Sequence, residues 1–309
     1  RLTRGTEKLH HHCGVSSFAE YATVSRRSLV KIDRDVPLDI AGLIGCAVIT
    51  GAGAVFNTGD VKPGGSVAVV GLGGVGLAAL IGAVAAGSET IIAVDRLDSK
   101  LAFARELGAT HTFNSDDPDI VGKIKEATRG GVEAALEFAG SVKALEFSYA
   151  ITRRGGTTIT AGLPNPKAML QIPAVSLVAE ERTLKGSYIG SGVPTRDIPR
   201  FLGLYKRGKM PVDKLKSGTM GFDGLNLTWE ALEGIASHIH RFWAPAMRHD
   251  LAAHLDTPVA WFFEGLDGPG VSAEGARELA NLEAQHRTLL ASIDERFQDF
   301  SDLDNRFHR

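Results

Sequence analysis

Cysteine is nearly absent from this chain of 309 residues, which carries only Cys13 and Cys46. Two thiols cannot build a disulfide framework, and the expectation is a protein of a reducing, cytoplasmic compartment. An excess of positive charge is missing as well: 34 Lys plus Arg face 36 Asp plus Glu, a formal net charge of -2. That balance gives no electrostatic case for nucleic acid or an anionic membrane surface, and no helix-turn-helix or basic stripe is visible. No secretory leader or long uncharged apolar span is expected, the apolar run Ala78–Ala86 being too short for a bilayer. The first residue is Arg1 rather than Met, so the chain reads as an excised or truncated piece.

Other scarcities are local. Lysine vanishes beyond Lys216, although thirteen lysines lie at or before that point. Tryptophan is confined to Trp229, Trp243 and Trp261, whereas 31 of the 36 glycines lie at or before Asn226. Residues 227–309 hold seven Arg against fourteen Asp plus Glu. One evolved domain seldom partitions its residues so sharply, and the chain reads as two units of different origin.

What is present most tellingly is Ser66–Gly76, SVAVVGLGGVG. Val67–Val70 reads as a buried strand that empties into Gly71-x-Gly73-x-x-Gly76, with Gly74 and Val75 inside the turn and a small-residue helix over Leu77–Ala86. The glycines suit a tight turn, a close approach of pyrophosphate and tight helix–strand packing. The helix N-terminus adds unpaired N–H groups and a positive dipole end. A second strand, Thr90–Val94, ends in Asp95, placed to grip the ribose hydroxyls of an adenosine. Arg96 beside it tolerates a 2′-phosphate, but the carboxylate repels one, so NAD outranks NADP.

Elements alternate through the rest of this half. Helices are expected at Lys100–Leu107, Pro118–Thr128, Val142–Ile151 and Thr195–Lys206, the last capped by Thr195. Strands are expected at Thr110–Phe113, Val132–Phe138, Gly156–Ala161 and Leu184–Ile189. Such alternation implies parallel βαβ units and an α/β, Rossmann-type, doubly wound parallel sheet. Phe18, Tyr21, Val24 and Val30–Ile32 suggest short strands of another, β-rich domain.

The strings HHHCGVSSFAEYATVSRRSLVKID, GCAVITGAGAVFNT, GLGGVGLAAL, EFAGS, ITRRGGTTITAGLP and RTLKGSYIGS resemble the zinc-dependent medium-chain alcohol dehydrogenases over about residues 1–226. The resemblance implies a GroES-like catalytic domain with a cofactor domain inserted in it. Residues 1–50 would be a remnant of the catalytic domain, 51–189 the NAD-binding Rossmann domain and 190–226 a partial return. It implies NAD and zinc as cofactors, a small alcohol or aldehyde as substrate and a homo-oligomer. Cys46 would match a catalytic-zinc ligand and Thr50 and Val75 the flanks of the nicotinamide ring. Lys100 would touch ribose or phosphate, Phe138 and Ala139 the adenosine side. Ala161, Gly162 and Leu163 would form the loop over the nicotinamide ribose. Ser187 and Ile189 would orient the carboxamide by their backbone, and His12 and Cys13 would line the substrate pocket. Alcohol dehydrogenase is the established example of a Cys2His catalytic zinc site. The other two ligand positions would precede Arg1, so hydride transfer is expected to be incomplete in this chain. Judged without the resemblance, Cys46 is a cysteine in an apolar turn and reads as plain core packing.

Three further features do not read as sites. His10–His12 alternate faces on a strand and cannot easily converge on one ion, so they read as pocket wall plus solvent. Residues 227–309 show helical spacing from Leu232 to Phe307 and read as an appended helical segment. Its first part resembles the delta subunit of NAD-dependent formate dehydrogenases, its end the start of a GntR-type FCD domain. There Asp304 and His308 stand one turn apart, as expected also of an ordinary solvated face. The competing function is a non-catalytic NAD-binding or protein-interaction module whose helical tail docks a partner.

Overall fold

Val67, Ala68 and Val69 are wholly buried on β3 (Ser66–Val70), as a strand covered on both faces must be. β3 pairs in parallel with β4 (Thr90–Asp95) and with β6 (Val132–Glu137). Outside them lie β5 (His111–Asn114), β7 (Thr152–Thr160) and β8 (Thr183–Gly186), in the order β5-β4-β3-β6-β7-β8. The chain therefore winds outward from β3 in one direction, then returns beside it and winds outward in the other. The reversal falls between β3 and β6, and this is where a doubly wound sheet opens a crevice at its carboxyl edge.

The computed structural model describes residues 2–4, 7–9 and 24–218. The sheet belongs to a compact unit, Leu29–Thr219. The other unit comprises Arg1–Ser28 and Met220–Arg309. Its described part is an antiparallel pair, β1 (Leu2–Arg4) with β2 (Glu7–Leu9), and a short 3-10 turn, Arg26–Ser28. The expected helical segment 227–309 lies outside the described residues.

Side chains alternate along β3 into two cores. Val67 and Val69 join the larger one, with α1 (Leu38–Thr58), α2 (Gly74–Ala85) and α7 (Pro194–Lys206). Ala68 and Val70 join the smaller one, with Ile92, Val94, Ile120, Ile124 and Ile151. Those last three come from α4 (Ile120–Ala127) and α5 (Val142–Ile151). The remaining helices are α3 (Asp98–Glu106) and α6 (Ala174–Ala179).

α1 corrects the expectation that no long uncharged apolar span exists. Residues 40–59 carry no charge, and Leu38–Thr58 is by length and composition able to cross a membrane, at a mean hydropathy of 1.9. Half of that apolar window is buried inside the protein instead. Gly51, Ala52, Ala78 and Gly82 keep α1 and α2 close, and Ile44, Val48, Ile49 and Val55 fill the core between them and the sheet. Two π-helical stretches, Ile44–Val48 and Ala54–Thr58, interrupt its α-helical bonding.

Other differences are smaller. Val24 and Val30–Ile32 form no strand, and among the described residues none pairs with them. The strand expected at Leu184–Ile189 ends at Gly186, and residues 189–191 form a turn instead. α7 starts with Pro194 in its first turn, and Thr195 is not its cap. Val193 holds the cap position without a side-chain bond, and the Asp197 carboxylate reaches back from within the helix to accept the Val193 N–H at 2.8 Å.

Phe201 of α7 is wholly buried and stacks on Phe56 of α1 with centroids 5.8 Å apart. Phe201→Ala should cost about 3–5 kcal/mol and lower Tm by roughly 6–20 °C. Thermal unfolding followed by circular dichroism checks this, and a Tm within error of the parent's would contradict it.

Candidate functional site

The crevice is built around the turn that leaves β3. Gly71 has φ of +91°, open to a residue without Cβ. A Cβ on Gly76 would stand 1.8 Å from the Gly71 carbonyl oxygen, so that position admits no side chain. Gly73 then caps α2 in an extended conformation with no side chain on the helix's first N–H groups. Those donors, with the dipole behind them, are open to an anion.

Asp95, 7% exposed at the end of β4, faces this turn. Its Oδ2 accepts the Leu72 N–H at 2.8 Å and its Oδ1 the Leu97 N–H at 3.1 Å. The acid is thus held at the turn, and each oxygen keeps a lone pair for a further donor. The Lys100 ammonium lies 3.8 Å from Oδ2. Arg96 points outward and pairs with Asp116 at 3.5 Å, with 78% of its side chain exposed.

Across the crevice, the Phe138 N–H bonds the Val70 carbonyl at 2.8 Å, and Phe138 packs half-buried on the larger core. Ala139 is exposed and lies against Gly71, where an added Cβ would meet its nitrogen at 2.8 Å. Ala161 and Gly162 each donate N–H to the Glu137 carbonyl, at 3.0 and 3.3 Å, and Leu163 beyond them is 47% exposed. Thr50 and Val75 are half-buried where α1 meets α2. Ser187 is buried and Ile189 exposed on the turn after β8. So the structure gathers Gly71–Gly76, Asp95 and Lys100 on one side of the switch point. Phe138, Ala139 and Ala161–Leu163 lie on the other.

Cys46 stands apart from the sequence reading, which placed it in an apolar turn. It is exposed on a π-helical stretch of α1. His12 and Cys13 lie outside the described residues. Among the described residues no three His, Cys, Asp or Glu side chains are grouped to hold a metal ion, so a three-ligand zinc site does not fit them alone. A dinucleotide fits: the glycine turn leaves room for backbone approach, and the acid stands where a ribose would.

Sequence reasoning missed Glu137, the last residue of β6. It is 1% exposed, its Oε1 accepts the Gly140 N–H at 2.6 Å and its Oε2 the Thr160 hydroxyl at 2.7 Å. Burial pushes its pKa above the usual carboxylate value, opposed by these donors and by the N–H groups of Ala139 and Ser141. The signal available in the sequence was a charge closing an apolar run, VEAALE. Also missed were Asn57, Thr58, Ser191 and Asp197, which carry no recognisable spacing.

A doubly wound parallel sheet with a glycine turn and a buried acid at its switch point defines the Rossmann class of dinucleotide-binding folds. Residues 74–207 match the model of the zinc-binding dehydrogenases. The chain is 37% identical over 224 residues to putative alcohol dehydrogenase D of Mycobacterium tuberculosis, covering 71% of this chain and 61% of that protein. It is 37% identical over 221 residues to geraniol dehydrogenase of Castellaniella defragrans, covering 71% and 59%. The crystal structure of benzyl alcohol dehydrogenase from Acinetobacter calcoaceticus superposes with a TM-score of 0.68 at 39% identity, covering 71% and 60%. Residues 74–207 thus carry a zinc-binding dehydrogenase domain, and this likeness implies NAD and zinc as cofactors. It spans about three-fifths of the length of these relatives. Residues 227–261 match the model of the NADH-dependant formate dehydrogenase delta subunit.

The raised pKa of Glu137 has a sign that can be checked. The folded state holds its proton more tightly, so the stability it contributes is full below the unfolded value of about 4.3 and is lost as pH rises through the native value. Glu137→Gln removes that loss. The difference in Tm, variant minus parent, should therefore increase from about pH 4 to about pH 7. Scanning calorimetry across that range reads it, and a constant difference would contradict the assignment.

Proposed function

We propose that this chain binds NAD and serves hydride transfer between a small alcohol or aldehyde and NAD, as part of a zinc-type alcohol dehydrogenase. The observation that carries the reading is Asp95, buried and fixed by two backbone N–H groups beside the side-chain-free turn Gly71–Gly76. In this reading the first N–H groups of α2 take the pyrophosphate and Asp95 takes the adenosine ribose. Lys100, next to that acid, touches the same ribose or its phosphate. Phe138 and Ala139 border the adenosine, and Ala161–Leu163 overlie the second ribose. Thr50 and Val75 flank the nicotinamide, whose carboxamide meets the backbone at Ser187 and Ile189. Bound nicotinamide supplies the hydride acceptor, while the protein supplies position and electrostatics.

Arg96 is engaged with Asp116, and the Asp95 carboxylate disfavours a 2′-phosphate, so NAD is the nucleotide assigned. Relatives named for geraniol and benzyl alcohol support an alcohol substrate of that general kind. A homo-oligomer is supported by β8, at the rim of the described sheet, and by Val175 and Val178, which α6 leaves 71% and 82% exposed. A reducing cytoplasm is supported by the two-cysteine composition.

Asp95→Ala should weaken NADH binding by about 1.5–3 kcal/mol and erase the preference over NADPH. Titration calorimetry on protein shown to melt as a folded species measures both, and an unchanged NADH affinity would refute the role.

A further inference from the structure

The turn after β8 is strained in an uncommon way. Ile189, Gly190 and Ser191 have φ of +48°, +65° and +47°, three successive residues in the left-handed region. Glycine enters that region freely, but a β-branched isoleucine does so only where the surroundings impose it. The surroundings here are explicit. The Asn57 side-chain amide donates to the Gly190 carbonyl at 3.1 Å and to Asp197 Oδ2 at 3.2 Å. Asp197 is wholly buried and takes the Val193 N–H at 2.8 Å and two bonds from the Arg196 guanidinium, each at 2.8 Å. On the other side, Thr58 Oγ1 bonds Ser187 Oγ at 2.7 Å and Ser191 Oγ at 2.8 Å. A Cβ on Gly190 would fall 2.2 Å from the Ile49 carbonyl oxygen, so the turn is seated directly on α1.

The position of this turn gives the strain a purpose. Asp95 fixes the adenosine half at the carboxyl end of β4, and a dinucleotide crosses the switch point so that its second half lies over the carboxyl ends of β6, β7 and β8. The Ser187 N–H bonds the Thr160 carbonyl at 2.8 Å, which ties the turn to the end of β7 on that second half. We infer that Asn57 and Asp197, with the Thr58–Ser187–Ser191 hydroxyls, are positioning residues that hold residues 189–191 left-handed so that their backbone meets the nicotinamide half of NAD. This rests on the NAD reading above. None of the five need touch the cofactor through its side chain, because each acts on the shape of the turn.

The test separates the two halves of the ligand. NADH and ADP-ribose, which lacks the nicotinamide, are titrated calorimetrically into the full chain and into Asn57→Ala and Ser191→Ala variants. Each variant should bind NADH about three- to tenfold more weakly, the loss expected from one neutral hydrogen bond, and bind ADP-ribose as the parent does. Equal weakening toward both ligands would reduce the network to general support of the fold and overturn the inference. Unchanged NADH affinity in both variants would overturn it as well. If Asn57→Ala does not fold, Ser191→Ala decides, since it removes one hydroxyl of an exposed residue. A parent that binds neither ligand would fail differently, by removing the NAD reading on which the inference stands.

Discussion

Two carboxylates at the ends of the two strands that flank β3 hold the crevice open. Asp95 closes β4 and Glu137 closes β6, and the glycine turn leaving β3 runs between them. A buried carboxylate must be satisfied by donors, and here the donors are backbone N–H groups of the very loops that line the cleft. Leu72 and Leu97 are fastened to the first acid, Gly140 to the second. Removing either acid frees a loop as well as a buried carboxyl group. The Thr160 hydroxyl and the two N–H groups that reach the Glu137 carbonyl extend the same arrangement to β7.

Glu137 and Asp197 differ in the form each favours. Glu137 is deep enough that burial outweighs its donors, which favours its neutral form. Asp197, behind the strained turn, is pulled the other way by the Arg196 guanidinium and remains a carboxylate. A fixed negative charge suits an anchor that must accept several N–H bonds at once.

The sheet was legible in sequence because parallel strands announce themselves as apolar runs, and SVAVVG and TIIAVD are such runs. Helices with one apolar face were equally plain, and Val142–Ile151 is observed with the expected limits. The glycine turn and Asp95 were legible because steric need restricts them to particular residue types at fixed spacing. α1 was not. Its glycines, alanines and threonines imitate a loop, and only contact with the equally small face of α2 makes them helical. Glu137 and the Asn57–Asp197 pair were hidden for another reason. Hydrogen bonds between residues 140 positions apart leave no local pattern, so only the folded backbone brings such partners together.

The burial of α1 also determines where the nucleotide-binding part could be cut free. The familiar choice would begin at the residues just before β3, where the strand–turn–helix pattern starts. Such a cut would strip Ile40, Ile44, Val48, Ile49 and Val55 from one face of the sheet and leave α2 with its small residues facing water. The same reasoning applies downstream, where Phe201, Leu202, Met210 and Val212 belong to that core although they follow the last strand. The smallest piece able to keep its shape therefore runs from before Val36 to beyond Val212. A cut outside those limits leaves this fold intact, and a cut within them does not.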